Sequence, residues 1–294
     1  MKSGTVAILG RPNVGKSTLL NALLKEKVAI TSNKPQTTRT RILGVVHRPD
    51  AQIAFLDTPG LHKPHDQLTR RMVRAAGEAM READLQLVMI DATGPPGAGD
   101  RLVIDEVKSA MRSTGCPAFL LINKVDVVKK VRLLPLIDHY RGMAEWSEIV
   151  PLSAMTGVNL DLLLDLIVKV LPTAEAVFGD DIFTDQSMRT LAAELIREKI
   201  LRKTRQEVPY SVAVSIDQFV EEGKLARIDA SILVERESQK AIVVGKGGEL
   251  LKAVGTEARL DMERLFGMKV FLTLWVKVRS AWREDDALLK ELGY

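Results

Sequence analysis

A glycine-rich octapeptide near the start of the chain constrains the fold more than any other feature. It fits the pattern GxxxxGK[ST] and directly follows an apolar run, residues 5–9, that predicts a strand. The octapeptide is Gly10, Arg11, Pro12, Asn13, Val14, Gly15, Lys16 and Ser17. Such glycines let successive backbone N–H groups point at a polyphosphate, and the following helix adds the positive end of its dipole. We expect Lys16 to neutralise the β and γ phosphates and Ser17 to bind Mg²⁺.

A second motif closes the apolar run at residues 53–56, which also predicts a strand. Its residues are Asp57, Thr58, Pro59 and Gly60. We expect Asp57 to hold a magnesium-bound water, because the end of this strand lies beside the phosphate loop. Gly60 lacks a side chain, so its N–H can approach a γ phosphate and be released when that phosphate leaves. Taken alone, these four residues are explained more simply by an ordinary turn.

A third motif, at the end of the apolar run 118–122, discriminates best between bases. Its residues are Asn123, Lys124, Val125 and Asp126. The Asp126 carboxylate can accept hydrogen bonds from guanine N1–H and from the exocyclic amine, and adenine offers neither donor there. Sites that pair with specific donors reject analogues lacking them by roughly 10⁴ to 10⁵. The motif therefore predicts bound GTP or GDP and disfavours an ATPase.

Ser153 and Ala154 follow another apolar run, residues 149–152, and fall where a backbone N–H could bind guanine O6. On their own they read as a loop. All four motifs occur in chain order at the carboxyl ends of predicted strands, where ligands collect in an open α/β sheet. Over about the first 170 residues the chain resembles the translation-factor-like class of GTPases, which predicts an α/β P-loop domain with a mostly parallel sheet and helices on both faces.

The segment from Lys34 to Arg39 is polar, rich in turn formers and without helix or strand periodicity. Such a loop can order around a triphosphate, and a threonine hydroxyl in it can complete the magnesium shell. Thr37 and Thr38 both qualify, and a plain surface loop is the alternative. Leu61 stands where many signalling GTPases carry a water-orienting glutamine. Even with that glutamine intrinsic rates are only about 10⁻⁴ s⁻¹, so we expect slow hydrolysis until a partner or an ion completes the site.

Length favours two domains, because 294 residues exceed the usual single-domain range. Strand and helix patterns alternate up to a predicted helix at residues 160–171. Residues 173–185 then combine glycine with three aspartates, which indicates a linker. The sequence therefore predicts a GTP-binding domain at residues 1–172 and a second domain at residues 186–294.

The residue pattern of the second domain predicts an α+β module. It indicates a helix at Met188–Arg202 and alternating strands at Val208–Ile216 and Ala226–Val234. A GxxG loop precedes its last predicted helix, Leu250–Phe266. The loop residues are Gly245, Lys246, Gly247 and Gly248. In KH domains such a loop lets the backbone of a single RNA strand approach, and the adjoining apolar groove takes about four nucleotides. A glycine-rich turn without function is the alternative.

Charge is distributed unevenly between the predicted domains. Residues 1–172 hold 23 Lys and Arg against 17 Asp and Glu, whereas residues 173–294 hold 19 against 21. RNA binding by the second domain cannot rest on bulk positive charge, so we expect local clusters to supply it. The candidate cluster is Arg197, Lys199, Arg202, Lys203 and Arg205. A solvated helix face is the commoner explanation of such a run.

The cysteine, apolar and histidine content of the chain limits the classes of protein to which it can belong. A single cysteine, Cys116, allows no disulfide within the chain and favours a reducing cytoplasm. No apolar stretch approaches the roughly 18 residues that span a bilayer, so we expect a soluble protein. The four histidines show no metal-ligand spacing, and they add no metal to the expected Mg²⁺. Trp275 lies in an alternating run, and we expect it in the core, with contact to RNA as the alternative.

As a whole, the chain resembles the bacterial Era GTPases, which join a guanine-nucleotide domain to a type II KH domain. Besides the motifs above, further similar segments lie at residues 36–39, 232–236 and 274–278. The resemblance favours Thr38 over Thr37 as a magnesium ligand. It implies binding near the 3′ end of 16S ribosomal RNA, a role in small (30S) ribosomal subunit assembly, and peripheral association with membranes. In related GTPases with an asparagine in the phosphate loop, K⁺ can replace an arginine finger, which makes Asn13 a candidate K⁺ ligand.

Two alternatives from other classes stay open. One is an RNA-binding scaffold in which the nucleotide is merely structural, and it predicts undiminished function after Asp57→Asn or Lys16→Ala. The other is a GTPase of transfer-RNA modification, which would need a catalytic domain or a cysteine placement that we do not find.

Overall fold

The chain divides into two compact units. The structure is a computed structural model that describes residues 1–205 and 208–294. The first unit comprises Met1–Ala29, Thr38–Pro64 and Thr69–Asp185, and the second comprises Ile30–Thr37, His65–Leu68 and Gln186–Tyr294. Each unit has its own apolar core.

The first unit is built on a mostly parallel sheet. Its strands are β1 (Lys2–Gly10), β2 (Ile42–His47), β3 (Ala51–Asp57), β4 (Leu85–Asp91), β5 (Ala118–Asn123) and β6 (Glu148–Pro151). Their order across the sheet is β2-β3-β1-β4-β5-β6, and β2 is antiparallel to β3 whereas the other pairs are parallel. Because β1, β3 and β5 share one direction, three of the sequence motifs begin at the same edge of the sheet.

Helices cover both faces of this sheet. They are α1 (Lys16–Leu24), α2 (Gln67–Glu82), α3 (Ala98–Thr114), α4 (Leu133–Arg141) and α5 (Leu160–Val170). Alternate residues of β1 face opposite sides: Val6 and Ile8 pack in the core that includes α1 and α5, whereas Ala7 and Leu9 pack in the core that includes α2 and α3. Burial on both faces explains why these strands read as continuous apolar runs, and it confirms the predicted α/β class.

Residues 173–185 run along the first unit. Lys2 pairs with Thr173 and Gly44 with Thr184 as isolated bridges, and the Val45 N–H donates to the Phe183 carbonyl at 2.9 Å. The compact unit to which this segment belongs ends at Asp185. The functional domain boundaries stay a prediction.

The second unit is an α+β module. Its strands are β7 (Ala213–Glu222), β8 (Leu225–Val234) and β9 (Lys269–Val278), in that order across the sheet, with β7 antiparallel and β9 parallel to β8. Its helices are α6 (Met188–Lys203), α7 (Val208–Ser211), α8 (Glu237–Val244), α9 (Glu249–Phe266) and α10 (Asp286–Glu291). Apolar residues of α6 and α9 pack with the even-numbered residues of β8 and β9 in one core.

One predicted strand of this module is wrong at its start. The alternation at Val208–Ile216 predicted a strand, but Val208–Ser211 forms α7 and the strand begins at Ala213. Pro209 explains the difference, because it cannot donate to a strand ladder and suits the first turn of a helix. The predicted helices at residues 188–202 and 250–266 are confirmed as α6 and α9.

Within residues 1–205 and 208–294, no helix combines the length and apolar character needed to cross a bilayer. The same residues contain no cluster of three or more His, Cys, Asp or Glu side chains that could hold a metal ion. Cys116 is buried, and burial raises the pKa of its thiol to about 11. Its thiol is therefore neutral at physiological pH and a poor nucleophile.

Candidate functional sites

The phosphate loop, residues 10–17, connects β1 to α1. Gly15 has a φ of 107°, and a Cβ at this position would lie 2.4 Å from Asn123 Nδ2. Both the backbone conformation and the space therefore require glycine here. Gly60 is required by close approach instead, because its Cβ would lie 2.6 Å from the Pro12 nitrogen. These glycines let the loops of three motifs meet.

Three oxygen-bearing side chains meet at the base of the phosphate loop. Ser17 Oγ lies 2.6 Å from Asp57 Oδ2 and 2.8 Å from Thr38 Oγ1. Thr38 Oγ1 in turn lies 3.5 Å from Asp57 Oδ2. Thr37 points elsewhere, because its hydroxyl bonds with Ser32 Oγ at 2.7 Å. The structure thus brings Thr38, and not Thr37, to Ser17 and Asp57.

The surroundings of Asp57 fit a cation. Its side chain is buried, and within the described part of the chain Oδ1 has no hydrogen-bond partner. Burial raises the pKa of this carboxyl to about 6, and the Lys16 charge and the Ser17 and Thr38 hydroxyls oppose that rise. Hydroxyl, carboxylate and water oxygens are the ligands that Mg²⁺ prefers. These residues therefore fit a magnesium ion, which Ser17 and Thr38 would bind directly and Asp57 would bind through water.

Lys16 is buried at the same loop. Its Nζ donates to the carbonyls of Gly10 and Arg11, both at 3.2 Å. Burial lowers the pKa of Lys16 to about 8 despite the opposing charge of Asp57. The ammonium is therefore incompletely compensated by the protein, and a polyphosphate would supply the missing negative charge.

The base-recognition motif is joined to the phosphate loop by hydrogen bonds. Asn123 Nδ2 donates to the Val14 carbonyl at 2.7 Å, and Asn123 Oδ1 accepts from the Ala154 N–H at 2.9 Å. Lys124 Nζ donates to the Asn13 carbonyl at 3.0 Å. Two motif residues thus connect the loops that would hold the two ends of one nucleotide.

The remaining residues that are expected to contact the base differ in exposure. Asp126 is exposed and lies next to Val125 in a short 3₁₀ turn. Ser153 and Ala154 are buried, and both N–H groups already have acceptors. The Ser153 N–H donates to the Val158 carbonyl at 3.1 Å, and the Ala154 N–H donates to Asn123 Oδ1. To donate to guanine O6, an N–H of this loop would either form a bifurcated hydrogen bond or break its present one.

Two residues that support the phosphate loop were missed by the sequence motifs. Arg11 Nε donates to Asp100 Oδ1 at 2.9 Å, and the Tyr140 hydroxyl donates to Asp100 Oδ2 at 3.0 Å. Asp100 and Tyr140 are both buried. They lie on α3 and α4, far from Arg11 in sequence, so no local pattern could have identified them.

The second motif is anchored by apolar and backbone contacts. Thr58 Oγ1 donates to the Ile8 carbonyl at 2.8 Å, and the Leu61 N–H donates to the Gly10 carbonyl at 3.3 Å. Leu61 itself is buried in the core beneath α2 and α3. An apolar side chain in that position cannot orient a water molecule, which agrees with the predicted need for an activator.

The GxxG loop, residues 245–248, connects α8 to α9 in the second unit. A groove of about 390 Å³ runs beside it along α9 and β9. Leu272 and Leu274 contribute an apolar wall, Lys252 contributes positive charge, and Arg259 lines the groove while its Nη1 donates to Glu263 Oε1 at 3.0 Å. This combination suits the bases and phosphates of a single RNA strand.

The basic cluster predicted near α6 is only partly available to nucleic acid, because Arg202 and Arg205 are exposed whereas two other members are not. Arg197 and Lys199 are buried, and Lys199 Nζ donates to Glu198 at 3.1 Å. The cations beside the groove are Lys252 and Arg259 instead. Their spacing of seven residues on α9 places them on one helix face, and that spacing is the sequence signal that could have found them.

The segment before Thr38 belongs to the second unit. The Thr31 N–H donates to Glu198 Oε1 at 2.9 Å, and the Arg197 guanidinium donates to the Thr37 carbonyl. Arg197 is fully buried. Residues 30–37 are therefore held by α6, the helix that packs against α9.

The segment that follows Gly60 shows a similar arrangement, because His65–Leu68 also belongs to the second unit. Arg283 Nη1 donates to Asp66 Oδ2 at 3.2 Å, and Arg283 Nη2 donates to Glu235 Oε2 at 3.0 Å. Arg283 thus connects this segment to the end of β8.

Comparison with protein families matches the two parts of the chain separately. A family described as 50S ribosome-binding GTPase matches residues 5–124, and a KH domain family matches residues 207–283. The first match contains three of the nucleotide motifs in whole or in part, and the second contains the GxxG loop.

Relatives match the chain over its full length. GTPase Era of Geobacter metallireducens is 50% identical over 100% of this chain and 98% of its own. GTPase Era of Syntrophus aciditrophicus is 48% identical over 100% of this chain and 95% of its own. Two solved structures each share 44% identity and a TM-score of 0.95 over 100% of this chain and 99% of theirs. One is Era in complex with MgGDPNP and nucleotides 1506–1542 of 16S ribosomal RNA, and the other is Aquifex aeolicus Era bound to GDP·AlF4⁻.

Proposed function

The chain belongs to the Era family of GTPases, and from this premise we propose that it is a GTP-controlled RNA-binding switch. It is a GTPase. Its target is the 3′ end of 16S ribosomal RNA, and it acts in assembly of the small (30S) subunit. The supporting observation is that one chain combines the oxygen cluster at Ser17, Thr38 and Asp57 with the groove beside the GxxG loop. The solved relative that holds 16S nucleotides matches this chain over its whole length, whereas the family with a 50S description covers residues 5–124.

The proposed nucleotide site extends from the phosphate loop to Asp126. Residues 10–17 bind the phosphates, Asn123 and Lys124 brace the loops, and Asp126 selects guanine. Bound magnesium supplies positive charge that offsets the phosphate oxygens. Lys16 supplies a further charge at the same phosphates, and the buried position of Lys16 strengthens that attraction.

The two candidate sites can communicate through the chain itself. Thr38 and Gly60 are the proposed sensors of the γ phosphate. Residues 30–37, which precede Thr38, and residues 65–68, which follow the Gly60 loop, belong to the second unit. A change at Thr38 is transmitted along the backbone to Thr37, which Arg197 holds on α6. We infer that the triphosphate and diphosphate forms hold residues 30–37 differently and so change the affinity of the groove for RNA. Such coupling requires different affinities in the two states, not mere proximity.

Crosslinking provides the test of the RNA target. Bound RNA is crosslinked in the presence of a non-hydrolysable GTP analogue and then sequenced. We expect reads concentrated at the 3′ end of 16S ribosomal RNA. Reads distributed over both ribosomal subunits, or over transfer RNA, would reject the proposed target.

Lys246→Asp provides the matching variant. A carboxylate in the GxxG loop repels the phosphate backbone, so we expect the crosslinks to fall by about tenfold or more. Lys224→Asp is the control, because Lys224 is exposed in the turn between β7 and β8 and does not line the groove. Equal losses in the two variants would show that only general charge matters.

We propose a cytoplasmic location, which is supported by the single cysteine and its buried, neutral thiol. Peripheral attachment to a membrane remains a prediction from the family resemblance. A proposed K⁺ site at Asn13 rests on the same resemblance.

A further inference from the structure

The open face of the second unit's sheet exposes two large aromatic side chains. The expectation that Trp275 is a core residue is wrong, because its side chain is 45% exposed, and Phe271 is 55% exposed. Both lie on β9, where the even-numbered residues pack in the core and the odd-numbered residues face away from it. Two large apolar side chains exposed on one face of a sheet mark a candidate contact surface.

The odd-numbered residues of β9 combine two aromatic side chains with a threonine between them and a lysine at each end. In order they are Lys269, Phe271, Thr273, Trp275 and Lys277. Because side chains on one face recur every second residue, all five lie on the open face of β9, and the two rings are about 13 Å apart at 3.3 Å per residue. That distance gives each ring room for a separate base. Arg227 on β8 adds a planar cation, with its guanidinium carbon 5.6 Å from the centre of the Phe271 ring.

This face is nearly neutral despite its cations. Arg227 Nε lies 2.8 Å from Glu222 Oε2, and Lys277 Nζ lies 3.4 Å from Asp217 Oδ2. Attraction of phosphates is therefore a minor contribution here. Aromatic rings can bind any base through stacking, and they do so without a strongly positive surface.

The position of the rings relative to the GxxG groove identifies the occupant. Leu272 and Leu274 line the groove, and Phe271 and Trp275 are their neighbours on the same strand. Since β9 is at the edge of the sheet, a strand of RNA that leaves the groove has only this one strand to cross before it meets the rings. The two surfaces are thus continuous around the edge of β9.

We propose that the open face of β9 is a second RNA subsite, in which Phe271 and Trp275 stack on bases of the strand that extends beyond the GxxG groove. The proposal rests on the proposed RNA-binding function. It predicts that the groove alone determines the affinity for an RNA of about four nucleotides, whereas a strand of about ten nucleotides also uses the rings.

The test compares two RNAs cut around the nucleotides that crosslink to the GxxG loop, one of about four and one of about ten nucleotides. Fluorescence anisotropy gives the affinity of each RNA for the wild type and for Phe271→Ala, Trp275→Ala and Trp275→Tyr. We expect each alanine variant to lose about tenfold or more in affinity for the longer RNA while its affinity for the shorter RNA stays unchanged. Trp275→Tyr should retain most of the affinity because a ring remains. Phe183→Ala is the control, since Phe183 is an exposed aromatic residue of the first unit.

A second readout follows the ring directly. Trp282 is buried and Trp146 is partly buried, so Trp275 is the most exposed of the three tryptophans. The longer RNA should quench tryptophan fluorescence in the wild type, and this quenching should be lost in Trp275→Tyr although binding persists. Quenching by the shorter RNA alone would place the ring in the groove and contradict a separate subsite.

The remaining outcomes are also decisive. Equal affinities of the wild type and the alanine variants for the longer RNA would overturn the proposal. Weaker binding of Trp275→Ala to 30S particles, with unchanged affinity for both RNAs, would assign the face to a protein contact instead. If the wild type binds neither RNA, the proposed RNA-binding function fails, and this subsite fails with it.

Discussion

Asp126→Asn should weaken GTP binding by roughly 2 to 4 kcal/mol, because the amide cannot accept both guanine N–H donors as a carboxylate does. This corresponds to roughly a 30- to 1,000-fold rise in the dissociation constant. The same variant should bind xanthosine triphosphate more tightly than GTP, since xanthine offers a carbonyl where guanine has an amine and the new amide can donate to it. Calorimetric titration with both nucleotides measures the change.

The exchange of preference separates base recognition from loss of structure. A misfolded loop would weaken both nucleotides, whereas a changed hydrogen-bond pattern favours one at the expense of the other. Asp138→Asn is the matched control, because Asp138 is an exposed aspartate on α4. Unchanged GTP affinity in Asp126→Asn would mean that another group selects the base.

Lys16→Met should change stability and binding in opposite directions. Burial lowers the pKa of Lys16 from 10.5 to about 8, so below pH 8 the folded, nucleotide-free protein holds a charged ammonium at a cost of roughly 3 kcal/mol. This cost disappears above pH 10.5, where lysine is neutral in both states. Methionine removes it at every pH. The unfolding free energy at pH 7 should therefore stay the same or rise, by up to roughly 3 kcal/mol.

Nucleotide affinity should fall steeply in the same variant. Lys16 is a buried cation of the phosphate loop, and its loss should cost roughly 3 to 5 kcal/mol of GTP binding. Urea denaturation without nucleotide and calorimetry with MgGTP give the two quantities. Lys169→Met, on the exposed face of α5, should change neither. Loss of stability together with intact GTP binding would show that Lys16 is structural.

The nucleotide site was largely predictable because its geometry is local. The glycines of the phosphate loop, Asp57 and the Asn123 motif each lie at the end of an apolar strand, and a parallel sheet brings such ends to one edge. Thr38 was open from the residues alone, since Thr37 is equally polar. The structure distinguishes the two by the direction of their hydroxyls, which only the folded loop sets.

The missed features depend on distant contacts or on which face a residue occupies. Asp100 and Tyr140 support Arg11 from other helices, so no spacing reveals them. Arg197 is basic and lies in a helical pattern, yet it is buried, and Glu194 and the Thr37 carbonyl accept hydrogen bonds from its guanidinium. Trp275 alternates as a core residue would, but the alternation cannot tell which face of a half-covered sheet is open.

The affinity for 16S 3′-end RNA in the two nucleotide states tests the central claim most directly. The affinity is measured by fluorescence anisotropy, once with the protein saturated with magnesium and GDPNP and once with magnesium and GDP. Arg202→Ala removes the hydrogen bonds from α6 to Thr31 and serves as the variant for comparison. We predict that the two states of the wild type differ by at least about fivefold and that Arg202→Ala reduces this ratio. Equal RNA affinities in both nucleotide states would contradict the account.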